Sequence, residues 1–378
     1  MRIFTTYAIF GVLGLVNNAL YVIILSLAMD LTPPNTSKSL ILLLNIFPSL
    51  FLKLTAPFLL HGNFMHNKRV FVLIVVNSVA MWLIAFEKVY LGIIFASLMS
   101  GLGELTFLQI ATKIDSTVAI NGWSMGTGLA GICGSLFVLL LTSVLRFSVK
   151  FCLIVSSLIP LGFLLFWTLP KTSYQIIEVE PQTFDHEEQD SEFDKIKIIK
   201  QLLYPFMLPL MVVYFAEYLI NQGITPVLLF PFSKDSLLFH KFRDQYVLYG
   251  TSYQLGVLIS RSSGNFIRIK KVWILSLLQL VNLLLFLIEA MYFPINFVFI
   301  VIVFSFYEGL LGGSSYVNVF LNVNDLYQSN HSLREFCIGV VTISDSLGIL
   351  GAAFLGLILE PHLCQYQSSH GREYCKAL

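Results

Sequence analysis

V-V-Y-F-A-E-Y-L-I-N-Q-G, Val212–Gly223, lies inside an apolar run from Leu202 to Phe232 that is long enough to cross a bilayer. In the middle of that run stands a carboxylate, Glu217, with Tyr214 one turn before it and Asn221 one turn after. At helical spacing the three share one face. An ionised acid at bilayer depth costs roughly 2.5–3.5 kcal/mol, so that face is expected to look into a protein interior or a wet cavity and not into lipid. Such positions need other helices to surround them, and the rest of the chain supplies them.

Of the 378 residues, 56% are hydrophobic and only 12% charged, and mean hydropathy is +0.79. Soluble domains carry about 25% charged residues, so the composition is that of an all-α polytopic membrane protein. A net charge of +1 gives no reason to expect nucleic acid as a partner. About 20 apolar residues make a span, and by that measure eleven are expected, near 6–28, 39–60, 70–86, 89–112, 122–145, 149–169, 202–232, 246–265, 272–292, 295–320 and 335–360. The first run lacks a cleavage site and is read as retained. Pro48 and Pro57 in the second span, and Pro205, Pro209 and Pro226 in the seventh, predict kinks whose freed carbonyls find partners on neighbouring helices.

One break in composition divides the chain. Between Pro170 and Lys200 the sequence turns acidic and loses its apolar residues, which predicts a disordered linker. The expected organisation is a six-helix bundle at 1–169, a linker at 170–200, a five-helix bundle at 201–360 and a tail at 361–378. A short interfacial helix is a further possibility at Lys234–Gln245. The two bundles share features in the same order. Gly101-Leu-Gly-Glu104 of the fourth span matches Glu308-Gly-Leu-Leu-Gly-Gly313 of the tenth. Gly126-Thr-Gly-Leu-Ala-Gly131 of the fifth matches Asp345-Ser-Leu-Gly-Ile-Leu-Gly351 of the eleventh. This order predicts two pseudo-repeats, the layout of many alternating-access carriers.

Lysines and arginines in the loops favour a cytosolic N-terminus, with Lys68, Arg69, Arg268, Lys270, Lys271, Arg334 and the linker on the same side. The sequon at Asn35 would then be lumenal and a candidate for glycosylation. Eleven spans would also put the C-terminus in the lumen. The final Cys375-Lys-Ala-Leu378 resembles a prenylation box, which would need a cytosolic tail. By its spacing Cys375 could instead pair with Cys364.

The residues that carry chemistry are the polar ones at depth: Lys53, Glu104, Glu217, Arg261, Glu308 and Asp345, with Asn221, Gln254 and Tyr214 beside them. Left facing lipid, the six charged groups would cost on the order of 15–20 kcal/mol, so they must pair or be hydrated. One reading makes them structural, with Lys53 and Glu104 as a buried ion pair fixing helix register. The other has them line a cavity in which Lys53 and Arg261 hold an anionic group, Arg261 through its bidentate fork. One or more of Glu104, Glu217, Glu308 and Asp345 would then carry a coupling proton. There is no P-loop, no H-E-x-x-H and no nucleophile elbow, and the histidines lack metal-ligand spacing. Neither enzymatic chemistry, nor a metal, nor a cofactor is expected.

Six stretches carry a family resemblance: G-L-V-N-N-A-L-Y-V (14–22), S-G-L-G-E-L-T-F-L (100–108), the opening stretch 212–223, Y-Q-L-G-V-L-I-S-R-S-S (253–263), Y-E-G-L-L-G-G-S-S-Y-V-N (307–318) and R-E-F-C-I-G-V-V-T-I-S-D-S-L-G (334–348). They resemble the battenin family, the Batten-disease membrane proteins of lysosomes and fungal vacuoles. The resemblance implies a fold like that of the major facilitator and equilibrative nucleoside carriers. It also implies a multi-pass place in the vacuolar membrane and roles in lumenal pH and arginine homeostasis. The expected function is a proton-linked secondary carrier of a small polar or anionic solute such as a glycerophosphodiester. The alternative is a scaffold or trafficking regulator that acts indirectly, through protein partners held at the acidic linker.

Overall fold

A computed structural model describes residues 2–31, 38–59, 66–112, 114, 116–169, 195–231, 242–295 and 297–377. The described residues form no strands. Eleven long helical elements run in chain order, and each corresponds to one expected span. They are α1 (Arg2–Ser26), α2 (Lys38–Leu59), α3 (His66–Ala85), α4 (Val89–Thr112), α5 (Ser116–Val138, continued as a π-helical turn Leu139–Val144) and α6 (Val149–Ser156 with the 3-10 segment Ile159–Thr168). The second set is α7 (Lys195–Val227), α8 (Phe242–Ser262), α9 (Trp273–Tyr292), α10 (Val298–Leu326) and α11 (His331–Val341 and Ile343–Ser369). Among the described residues nine of these are long and apolar enough to cross a membrane. The exceptions are α2, whose apolar part is Leu40–Thr55, and α8, which carries Arg243, Asp244, Gln254 and Arg261. Asn35, the acidic linker to residue 194 and residues 234–241 of the expected interfacial helix lie outside the described residues.

Prolines shape the helices by withdrawing a backbone donor. Around Pro205 and Pro209, α7 opens into a π-turn at Leu203–Met207. It opens again at Ile220–Ile224 and finishes as a 3-10 turn containing Pro226. In α2 a neighbour repairs the ladder just after Pro48. Ser97 Oγ of α4 accepts from the Ser49 N–H at 3.0 Å and donates to the Asn45 carbonyl at 2.6 Å, the two ends of one helical rung.

Packing repeats itself between the halves. In the first half α1 lies on α5, α2 on α4 and α3 on α4; in the second α7 lies on α11, α8 on α10 and α9 on α10. These are the same pairings six helices later. The glycine motifs do equivalent jobs in them. A Cβ on Gly126 would overlap the Gly11 carbonyl of α1, and one on Gly348 would overlap the Met211 carbonyl of α7. Both motifs therefore allow backbone-to-backbone approach at matching interfaces. The halves join where α5 packs on α8 and α2 on α11. Exchanging each helix for its equivalent, α2 for α8 and α5 for α11, turns one contact into the other, as a pseudo-twofold requires. Around this frame the exposed faces are apolar, as in Phe71, Val75, Val79 and Trp82 on α3 and Leu277, Val281, Leu284 and Ile288 on α9.

The C-terminal residues were expected as a separate tail from 361. They instead prolong α11 to Ser369, and the Ser332–Ser369 helix of 38 residues is far longer than the hydrocarbon core needs. Beyond it the chain turns back, and Cys375 forms a disulfide with Cys364. The prenylation reading of Cys375 is thereby corrected, because a sulfur held in a disulfide cannot form a thioether. Arg372 secures the return: its guanidinium lies 3.3 Å from the Phe293 ring centroid and donates to the Leu229 carbonyl at 3.1 Å. Reductant and Cys375→Ser are each expected to lower the thermal unfolding temperature of the solubilised protein, without adding to one another. A reductant effect undiminished in Cys375→Ser would place the sensitive bond elsewhere.

Candidate functional site

Lys53, Glu104, Asp345, Arg261 and Tyr214 converge where the halves meet, and Gln254 lies on the same contact, whereas Glu217, Asn221 and Glu308 find their described partners inside the second half. Lys53 of α2, 2% exposed, reaches across to α11. Its Nζ lies 2.6 Å from Glu104 Oε2 of α4 and 3.1 Å from Asp345 Oδ1. It also donates to Ser346 Oγ at 2.9 Å and to the Thr342 carbonyl at 3.1 Å. Helix α11 breaks at Thr342 and restarts at Ile343, which puts Asp345 in the first turn of the new segment, where the helix dipole favours an acid. The Lys53–Glu104 pair expected from the sequence is therefore present. It is one side of a triad that spans both halves.

Tyr316 of α10 ties this triad to a second cation. Its hydroxyl donates to Glu104 Oε1 at 2.9 Å and accepts from Trp123 Nε1 of α5 at 3.2 Å. The guanidinium of Arg261 lies over its ring, 4.2 Å from the centroid. Arg261 donates to Thr127 Oγ1 of α5 at 2.6 Å and to the Tyr214 hydroxyl of α7 at 2.8 Å. Both of these hydrogen-bond partners are neutral, and Arg261 Nε has none. Among the described residues no carboxylate lies within ion-pair distance of Arg261. Lys53 and Arg261 are thus not equivalent: two acids lie in ion-pair contact with Lys53, whereas Arg261 has no acid in contact with it.

A third group lies one turn along α7 from Tyr214. Glu217 Oε1 accepts from the Tyr253 hydroxyl of α8, and Glu308 Oε1 of α10 accepts from Asn221 Nδ2 at 2.8 Å. Glu217 is 2% exposed and Glu308 fully buried. Tyr218 meets Tyr21 of α1 hydroxyl to hydroxyl at 3.3 Å, another link between the halves. Gln254 sits apart from these groups, two turns before Arg261, with its amide against Gly131 of α5.

Sequence reasoning had no view of Trp123 and Thr127, although their one-turn spacing in a glycine-rich helix marks a shared polar face. It also placed Arg69 and Arg334 in loops. Both are buried: Arg69 donates to Gln109 Oε1 at 3.2 Å, and Arg334 crosses between the halves to the Thr112 carbonyl at the end of α4. A cation at that end satisfies a carbonyl the helix leaves open.

A polytopic helical bundle built of two pseudo-repeats, with buried charges concentrated between them, has the architecture of the major facilitator transporters. Two solved structures share the fold. One is a major facilitator transporter, FucP, in the outward conformation, with TM-score 0.52 and 13% identity, covering 97% of this chain and 98% of that one. The other is a bacterial homologue of the human lysosomal transporter Spinster in an inward-facing, unoccupied conformation, with TM-score 0.57 and 13% identity, covering 100% and 93%.

The family model for the CLN3 protein matches residues 8–194 and 173–366. Protein BTN1 of Eremothecium gossypii is 44% identical, with 97% of each chain covered. Protein BTN1 of Yarrowia lipolytica is 45% identical (98% and 97% covered), and that of Saccharomyces cerevisiae 42% (98% of each). The chain belongs to the CLN3, or battenin, family.

Proposed function

We propose that this protein is a secondary carrier of the vacuolar membrane that moves a small polar solute bearing an anionic group, with proton movement linked to it. The observation that carries the reading is Arg261, a buried cation at the contact between the halves with only neutral partners. A guanidinium in that position is a fork for a phosphate or carboxylate, and a phosphodiester such as a glycerophosphodiester suits it. The fold supports the same reading, because helices that meet at a pseudo-twofold can rock about a site between them. Proton-linked flux of such a solute would alter lumenal pH and, through it, arginine balance. The N-terminus and the linker would be cytosolic.

The test is uptake of a labelled glycerophosphodiester into proteoliposomes under an imposed pH gradient. Arg261→Gln is expected to abolish saturable uptake, and Arg261→Lys to restore a small part with a raised KM, since an ammonium keeps the charge but not the fork. Wild-type kinetics in Arg261→Gln would remove Arg261 from solute binding. Absence of any saturable uptake by wild type, with vacuolar pH and arginine still disturbed when the gene is deleted, would favour the scaffold reading.

A further inference from the structure

We infer that the linked proton is carried by Glu217 and Glu308 acting as one pair, and that the Lys53 triad takes no part in proton exchange. The inference rests on the carrier reading above but is tested separately from it.

The two acids face each other across the contact between α7 and α10. Asn221, one turn beyond Glu217, donates to Glu308 Oε1 at 2.8 Å and to the Glu217 carbonyl at 3.1 Å, so it spans both residues. Gly312, one turn beyond Glu308, lies so close to the Glu217 carboxylate that a Cβ there would overlap it. Each acid has one oxygen satisfied, Glu217 by Tyr253 and Glu308 by Asn221. Each has the other oxygen, Oε2, buried and without a hydrogen-bond partner. Neither forms an ion pair among the described residues.

The charged and titratable groups around the pair come from every packed element. From α7 there are Tyr214 and Tyr218, from α8 Tyr253 and Arg261, from α11 Asp345, and from α1 Tyr21 through its bond to Tyr218. Arg261 is the one cation in this set, and its terminal nitrogens are engaged by Thr127 and Tyr214. Two carboxylates with no cation of their own cannot both be ionised out of water. Lys53 and Arg261 balance Glu104 and Asp345. The inner set is therefore neutral when both Glu217 and Glu308 hold protons, and becomes negative by one charge for each proton released. In the step itself a hydronium O–H breaks as the Oε2–H forms on one side, and on the other the Oε2–H breaks as a water takes the proton and becomes hydronium. Glu104 and Asp345 cannot play this part cheaply, since protonating either would leave Lys53 short of a partner at 2.6 or 3.1 Å.

The measurement needs no solute. Infrared difference spectra of the reconstituted full chain, stepped between an acidic and a neutral pH, are expected to show a reversible protonated-carboxyl band. Glu217→Gln and Glu308→Gln are each expected to remove most of that band, more than the half that two independent acids would give, because either change dissolves the pair. Thermal unfolding on the same samples establishes that the variants are folded. A band that survives in both folded variants, or no pH-dependent carboxyl band in wild type, overturns the inference. So does a band whose position follows replacement of sodium by choline, which would make the occupant a metal cation. If the band behaves as stated and no glycerophosphodiester is moved, the solute reading fails while the pair stands.

Discussion

Lys53→Met is expected to destabilise the protein by about 3–5 kcal/mol, the cost of removing one partner from a buried ionic cluster and leaving the others uncompensated. The residue holds Glu104 of one half and Asp345 of the other, and is itself 2% exposed. Without it two carboxylates face each other across the α2–α11 contact with no cation between them. The expected observation is loss of folded protein after solubilisation, or a thermal transition shifted strongly down. The cause is separable from the loss of volume. In the triple variant Lys53→Met, Glu104→Gln, Asp345→Asn no charge of the triad is left behind, and stability should return to within roughly 1–2 kcal/mol of wild type, as apolar or neutral replacement of a whole buried ionic group commonly allows. If the triple variant is no more stable than Lys53→Met, the loss arises from packing of the lysine stem and not from charge.

Much of this arrangement was legible in the sequence because it follows from one-dimensional rules. Runs of apolar residues located all eleven helices, and the repeated glycine–acid motifs located the equivalent ones, α4 with α10 and α5 with α11. Helical spacing put Tyr214, Glu217 and Asn221 on one inward face, where the structure also has them. Register between helices was not legible. Nothing local says that Lys53 finds Asp345, 292 residues away, or that Arg261 finds Thr127. That depends on how far α2 slides along α11 and α5 along α8. Treating Lys53 and Arg261 as equal anion-binding candidates was the consequence, since counting charges on separate helices cannot tell which are already paired. Arg69 and Arg334 misled for a related reason. They flank apolar runs as loop cations do, and only the bundle reveals that helix-end carbonyls and Gln109 draw them inside.

Tyr316 offers the second large effect, because it is the only described residue that touches both cationic groups' surroundings through different parts of one side chain. Its hydroxyl serves Glu104 and Trp123, and its ring lies beneath Arg261. Tyr316→Ala removes everything at once and is expected to cost about 3–5 kcal/mol, as for other buried aromatics. Tyr316→Phe keeps the ring and removes only the hydroxyl, which leaves Glu104 Oε1 and Trp123 Nε1 to find water or remain unpaired, at about 1–3 kcal/mol. Transport should separate the two functions of the side chain. With the ring retained, the Arg261 guanidinium keeps its platform, so Tyr316→Phe should bind the anionic solute with nearly unchanged KM. Its link to the Lys53 triad is cut, so the slower step should be the rearrangement of the halves, seen as a reduced kcat. A raised KM with unchanged kcat in Tyr316→Phe would mean that the hydroxyl contacts the solute itself. The residue would then belong to the binding site and not to the join between the α2–α11 and α5–α8 contacts.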